Sequence, residues 1–167
     1  ELTAPMQPEP ALYNLLRISL SGLQKYDFYD IMKLVFEWGF LRISGQLFDF
    51  QTCVDCGDAA TGSQRVVLDI PAGGPICTRC RVGARDNQTV TLGLNAVKLG
   101  NMINEVLARV SGDVLIGEEQ AASIHRNLQT LQFENRNTGG AAAPALQHAV
   151  TRFMHYHDSA PYWHVRL

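Results

Sequence analysis

No apolar run in the 167-residue chain approaches the roughly 20 residues that a membrane-spanning helix needs, so a membrane protein is not expected. Charge of either sign is also sparse. Fourteen lysines and arginines stand against 16 acids, a net charge of −2, which is not the profile of a dedicated nucleic-acid binder. The sequence contains no GxSxG, P-loop, GxGxxG or HExxH pattern, so neither an enzyme nor a small-molecule substrate is expected. Nothing looks like a signal peptide, which argues for a reducing compartment. The chain opens at Glu1 rather than Met and is expected to be a fragment or a processed form. Its length allows one domain, or one with a small satellite, and its 46% apolar content suits a globular body.

Cysteine is scarce too, but its placement is informative. The four that exist form two CxxC pairs, Cys53-Val54-Asp55-Cys56 and Cys77-Thr78-Arg79-Cys80. A CxxC knuckle points two thiolates at one cation, and two knuckles complete a closed tetrahedral shell of the kind structural zinc takes. Two disulfides would need an oxidising compartment, and a thioredoxin-like motif should be single and should open a helix after a strand. A closed thiolate shell leaves no position for water, so the expected Zn2+ holds structure and does not catalyse. With all four cysteines so committed, thiol catalysis is not expected either. Gly57 after the first knuckle, and Gly73 and Gly74 before the second, stand where tight turns favour glycine.

Helical periodicity dominates the rest, and the expected fold is mainly α: a helical bundle with an inserted small four-cysteine, zinc-ribbon-like β-hairpin. Three segments follow: 1–50 helical, 51–86 the four-cysteine zinc finger, 87–167 the helical remainder. After a proline-rich lead-in, Pro10 opens a helix to about Lys25, with Leu12, Leu15, Leu16, Ser19, Leu20 and Leu23 as its apolar stripe. A second helix, Phe28 to about Ile43, is apolar on most sides and reads as a core helix, with Asp27 as N-cap and Asp30 as the acidic half of a capping box. Arg65 to Ile70 reads as a strand stopped by Pro71. A third helix is expected from about Thr91 to Val110, with Gly100 marking a close crossing, and a fourth from Asp113 to Phe133. Residues 135–144 read as a flexible connection. A last helix should run from Pro144 to about His157 with Leu146, Ala149, Val150, Phe153 and Met154 inward. The aromatic tail from Ser159 is expected to pack back on the body.

The order of these features carries a resemblance. Pro10-Ala11-Leu12-Tyr13-Asn14-Leu15-Leu16, Phe36-Glu37-Trp38-Gly39-Phe40-Leu41, Cys53-Val54-Asp55-Cys56-Gly57 and Gly73-Gly74-Pro75-Ile76-Cys77-Thr78-Arg79-Cys80 resemble the C-terminal, zinc-bearing helical domain of the RecO family of DNA recombination-mediator proteins. The stretch Ala149-Val150-Thr151-Arg152-Phe153-Met154-His155-Tyr156-His157 is similar to that family's last helix. The resemblance implies a non-enzymatic DNA repair and recombination mediator, in the bacterial cytoplasm or an organellar matrix. It would contact the tail of single-strand-binding protein, a RecR-like partner and single-stranded DNA. It also implies that Cys53, Cys56, Cys77 and Cys80 are zinc ligands. The family carries an N-terminal oligonucleotide-binding barrel, and nothing barrel-like precedes residue 10. Either that barrel lies outside the sequence, or the chain is a relative reused as a structural subunit or assembly factor of a large (ribonucleo)protein complex.

Other residues suggest contacts. Arg79, Arg81 and Arg85 cluster at the second knuckle, with Arg65 across the hairpin, as phosphate-contact candidates. Against this, the four cations of residues 51–86 are matched by four acids, Asp55, Asp58, Asp69 and Asp86. Family members hold the acidic, Phe-ended tail of single-strand-binding protein in a greasy pocket with a cationic rim. Arg17, Lys33, Arg42 and Arg152 are rim candidates against ordinary snorkelling. His148, His155 and His157 lack the acid or thiol that would complete a second metal shell.

Overall fold

A computed structural model describes residues 9–46, 49–60, 65–83, 88–112 and 114–158. Among these residues five helices, α1 (Pro10–Lys25), α2 (Tyr29–Ile43), α3 (Leu94–Val110), α4 (Glu118–Asn137) and α5 (Ala142–Asp158), surround a core. They carry a three-stranded antiparallel sheet of β1 (Arg65–Asp69), β2 (Gly74–Ile76) and β3 (Thr89–Gly93), in the order β2-β1-β3. The architecture is the expected mainly helical one with a small β insertion that bears the four cysteines. The expected hairpin gains a third strand, since β3 pairs with β1 along its whole length, from Arg65 opposite Gly93 to Asp69 opposite Thr89. The third helix therefore starts at Leu94, not Thr91. Val90 and Leu92 point into the core while Thr91 and Gly93 are exposed, the period of a strand with one buried face.

The greasy second helix is central, as its composition suggests. Ile31, Met32, Leu34, Val35, Trp38 and Leu41 are buried, and α2 meets α1, α3, α4 and α5. Its start is not capped as expected. The N-cap residue is Phe28, without a side-chain hydrogen bond, and Asp27 is exposed. Phe28 is buried instead and stacks on Tyr26 at 5.0 Å, so apolar packing sets the α1–α2 turn.

The first helix is rotated relative to its expected stripe, of which Leu15 and Ser19 stay buried. Its buried face is Asn14, Leu15, Ile18, Ser19 and Gly22, and Leu16, Leu20 and Leu23 are exposed. Two non-leucine residues decide this. Asn14, fully buried, donates through Nδ2 to the Val114 carbonyl (2.9 Å) and accepts at Oδ1 from the Ile116 N–H (3.2 Å). Gly22 admits Met32 so closely that an added Cβ would lie 2.8 Å from its Cε. The same Asn14 bonds hold residues 114–116 out of helical conformation, and α4 begins at Glu118, not Asp113. The fourth helix runs on to Asn137, and residues 138–141 form a tight turn with Gly139 and Gly140 at positive φ, not a long connection. Asn135 closes that turn by accepting the Ala143 N–H at 3.0 Å. The last helix buries Leu146, Ala149, Val150 and Phe153 as expected. The tail from Ser159 lies outside the described residues.

Gly100 marks a close approach, though not between helix backbones. A Cβ there would sit 2.6 Å from Phe50 Cε2 and 3.1 Å from Trp38 Cη2. Phe50, three residues before Cys53, thus plugs the chain entering the first knuckle into the helical core, against Trp38 at 5.6 Å.

Candidate functional site

The first knuckle is a tight hairpin. Thr52 bridges Ala59, the Cys53 N–H donates to the Asp58 carbonyl (2.8 Å), and the Gly57 N–H donates to the Cys53 carbonyl (2.9 Å). Gly57 takes φ 75°, which explains why glycine follows the CxxC. Gly73 likewise has φ 76°. Gly74 serves a different purpose: a Cβ on it would lie 2.3 Å from Val54 Cγ1, so the bare backbone lets the first knuckle close over β2. The Val54 N–H donates to the Pro75 carbonyl at 2.9 Å, which joins the knuckles directly. The second knuckle ends in the 3-10 turn Cys80–Gly83, begun by the Arg81 N–H donating to the Cys77 carbonyl at 3.0 Å.

These turns bring Cys53, Cys56, Cys77 and Cys80 together with all four Sγ atoms within 4.8 Å of one another and none in a disulfide. The Cys56 and Cys77 sulfurs are 3.7 Å apart. Tetrahedral zinc with Zn–S bonds of about 2.3 Å sets its sulfurs about 3.8 Å apart, so the cage has the right size for a single ion. The four cysteines can hold a metal ion, and the donor set is the soft sulfur one that structural zinc takes.

The thiols do not titrate alike. The backbone N–H of Cys77 hydrogen-bonds to Cys53 Sγ at 3.4 Å and leads the contacts that lower the Cys53 pKa to about 6. Contact with the Cys80 backbone lowers Cys77 as well. Cys80 is pushed up to about 12, first by a hydrogen bond with the Cys56 side chain and then by one with Cys77, so these sulfurs compete for a proton. A cation in the cage removes that conflict.

The arginines around the cage are not equivalent. Arg79 forms an ion pair with Asp58 across the two knuckles. The Cys56 side chain and the Asp58 carboxylate raise the guanidinium's pKa. Arg65 at the start of β1 and Arg81 on the 3-10 turn are exposed, and Arg85 lies outside the described residues. The rim candidates are dispersed. Lys33 pairs with Glu37 at 2.9 Å, Arg152 donates to the Thr89 carbonyl at 3.0 Å, and Arg42 lines a shallow depression with Glu9 and Ser111. Among the described residues, the histidines of α5 join no further metal-type cluster. The His157 ring lies against Phe153, centroids 4.2 Å apart and tilted by 41°.

Arg17 is the exception. It lies at the edge of the outward leucines of α1, pairs with Glu118 at 3.2 Å, and donates to the Ile116 carbonyl. With Ser21, Lys25 and His125 it lines a cavity of about 130 Å3 between α1 and α4. His125 Nε2 lies 2.9 Å from Ser21 Oγ and 3.3 Å from the Ile18 carbonyl. A carbonyl only accepts, so sharing it puts the proton on Nε2, and the Ser21 hydroxyl donates to the same carbonyl at 3.1 Å. That arrangement is a buried polar clip and not a serine activated by a base. Beside the cavity runs an exposed apolar face: Leu20, expected on the inward stripe, is 58% exposed, Tyr13 56%, and the neighbouring Val114 and Leu115 77% and 61%.

Fold and site together define a helical domain organised around a metal-type cage of four cysteines. The sequence model of the family described as "Recombination protein O C terminal" matches residues 1–122. The chain is 31% identical over 140 residues to "DNA repair protein RecO" of Myxococcus xanthus (strain DK1622), an alignment covering 80% of this chain and 56% of that protein. The chain belongs to the RecO family. It spans little more than half the length of that curated relative. No solved structure gives a significant match. No helix among the described residues is long and apolar enough to cross a membrane.

Proposed function

We propose that this chain is a non-enzymatic part of a DNA repair and recombination mediator, working by protein contact around a structural zinc module. Cys53, Cys56, Cys77 and Cys80 hold the zinc, residues 51–86 form the module, and residues 1–50 and 87–167 form one helical body. Its first partner is the acidic, Phe-ended tail of single-strand-binding protein, with a RecR-like protein and single-stranded DNA as further partners. The exposed cations Arg65 and Arg81, with Arg85, are the candidate DNA contacts at the knuckles.

The observation that carries the peptide reading is the exposed apolar face of α1. Tyr13, Leu16, Leu20 and Leu23 lie at helical spacing on the outside, with Arg17 and Lys25 along one edge. A contiguous exposed apolar strip with a polar rim is the kind of surface that marks a binding site. An acidic peptide ending in Phe offers an aromatic side chain to the leucines and carboxylates to the two cations. Glu118, whose side chain is 95% exposed, pairs with the 29%-exposed Arg17 in the absence of such a peptide and can give way to a peptide carboxylate.

Fluorescence anisotropy with a labelled acidic, Phe-terminated peptide tests this reading. Micromolar binding that Leu20→Asp abolishes is expected, and no binding at high micromolar protein ends it. The alternative, a structural subunit or assembly factor of a large (ribonucleo)protein complex, draws on the same exposed face. It predicts that the chain purifies from its source only with many other proteins.

A further inference from the structure

Four thiolates around one divalent ion carry a net charge of −2, and the shell is not uniformly protected. Cys53 and Cys77 are buried, Cys80 is half-buried, and Cys56 is exposed. Ligand exchange at a closed thiolate shell starts where solvent, a proton or a competing chelator reaches a sulfur, which here is Cys56. The ion pair of Arg79 with Asp58, two residues past Cys56, brings the guanidinium beside the Cys56 side chain. Arg79 lies between Cys77 and Cys80 in the second knuckle, yet its guanidinium reaches back to Asp58 in the first.

As a stabilising contact the pair counts for little. Both side chains are mostly exposed, 71% and 62%, and pairs this exposed contribute little to folding. The placement matters more than the energy: Asp58 fixes a permanent cation beside Cys56, the most exposed of the four cysteines.

We propose that Arg79, held by Asp58, is a positioning residue of the metal centre. It straps the two knuckles together and supplies a counter-charge to Cys56, which slows loss of the ion. The assignment rests on the reading of the four cysteines as structural metal ligands. It also separates Arg79 from Arg81: the first serves the cage, and the second, exposed on the 3-10 turn, is placed to meet a ligand. Groups that orient or hydrogen-bond metal ligands typically change metal affinity by about 10- to 100-fold when removed. An exposed pair belongs at the low end of that range.

The test uses the full chain purified with its metal, and elemental analysis fixes the starting stoichiometry. Zinc release to a chromophoric chelator is followed for the wild type, Arg79→Ala, Arg79→Lys, Asp58→Asn and Arg81→Ala. Release is expected to quicken on the order of tenfold in Arg79→Ala. Asp58→Asn should quicken it several-fold, Arg79→Lys should fall between, and Arg81→Ala should match the wild type. Thermal melting of the zinc-loaded proteins should agree within about 2 °C, since the pair contributes little to folding. Wild-type release from Arg79→Ala overturns the assignment while leaving the metal reading intact, and so does equal acceleration by Arg81→Ala. If Arg79→Ala fails to fold, Asp58→Asn decides in the same way. A purified chain with no bound metal removes both readings together.

Discussion

Replacing Gly100 with alanine sets two effects of known sign against each other. In the middle of α3, alanine is favoured over glycine by about 1 kcal/mol of helix propensity. The new methyl, however, would stand 2.6 Å from Phe50 Cε2, 2.8 Å from its Cζ and 3.1 Å from Trp38 Cη2. Carbon atoms prefer separations of about 3.5–4.0 Å, so the Phe50 ring must withdraw by about 1 Å. It has little room to do so. Phe50 is 1% exposed and lies against Trp38, whose indole N–H is held by Asn104 Oδ1 at 3.1 Å. Overpacking of this kind costs about 1–3 kcal/mol, and two contacts below 3 Å put the cost in the upper half. Subtracting the propensity gain leaves a net destabilisation of about 1–2 kcal/mol. For a domain of this size that is a fall in Tm of about 2–8 °C. Thermal melts followed by circular dichroism read it. In a Phe50→Leu background the space is partly vacated, and the Gly100→Ala penalty should shrink by at least about 1 kcal/mol. A variant that melts at or above the wild type, or a penalty unchanged in the Phe50→Leu background, would refute the close packing of Phe50 on α3.

Further outcomes can be checked. Asn14→Ala strands the Val114 carbonyl and the Ile116 N–H and should cost about 1–3 kcal/mol by denaturant titration. Leu20→Asp, on the exposed face, should change stability by no more than about 0.5 kcal/mol while removing peptide binding. Chelation of the metal should leave helical circular dichroism largely intact, because the helices share the main core while the knuckles rely on a small cluster of Cys53, Ala60, Ile76 and Cys77. Zinc uptake by the metal-free chain should release fewer than four protons at pH 7, measured by calorimetry in two buffers, because Cys53 is already largely ionised with its pKa lowered to about 6. Its folded pKa lies below its usual value of 9.0, so its contribution to stability is present above that value and is lost as pH falls through about 6. Cys80, pushed up to about 12, acts in the opposite sense: its contribution is present below 9.0 and is lost as pH rises toward 12.

What the sequence determined by itself is local. Two CxxC pairs meet in a cage because each knuckle is a short-range turn, with Gly57 and Gly73 at the positive φ those turns need. Pro10 opens α1 because its missing N–H costs nothing in a first turn, and a helix apolar on all sides has nowhere to go but the centre of a bundle. Only the tertiary structure decided which side of α1 is buried. The leucine stripe marks one face, but Asn14 grips a segment about 100 residues away and Gly22 admits Met32, and those contacts turn Leu16, Leu20 and Leu23 outward while Leu15 stays buried. It also decided β3. Thr89–Gly93 alternates like a strand yet runs straight into a helical pattern, and its partner β1 lies some 20 residues upstream, beyond the reach of any periodicity. Spacing likewise left open whether Arg79 meets phosphate or one of the four acids near it in sequence, and folding sets it against Asp58 of the opposite knuckle. Periodicity and spacing record what a residue does to its near neighbours, whereas the choice of buried face and of ion-pair partner is made by groups that meet only once the chain has closed.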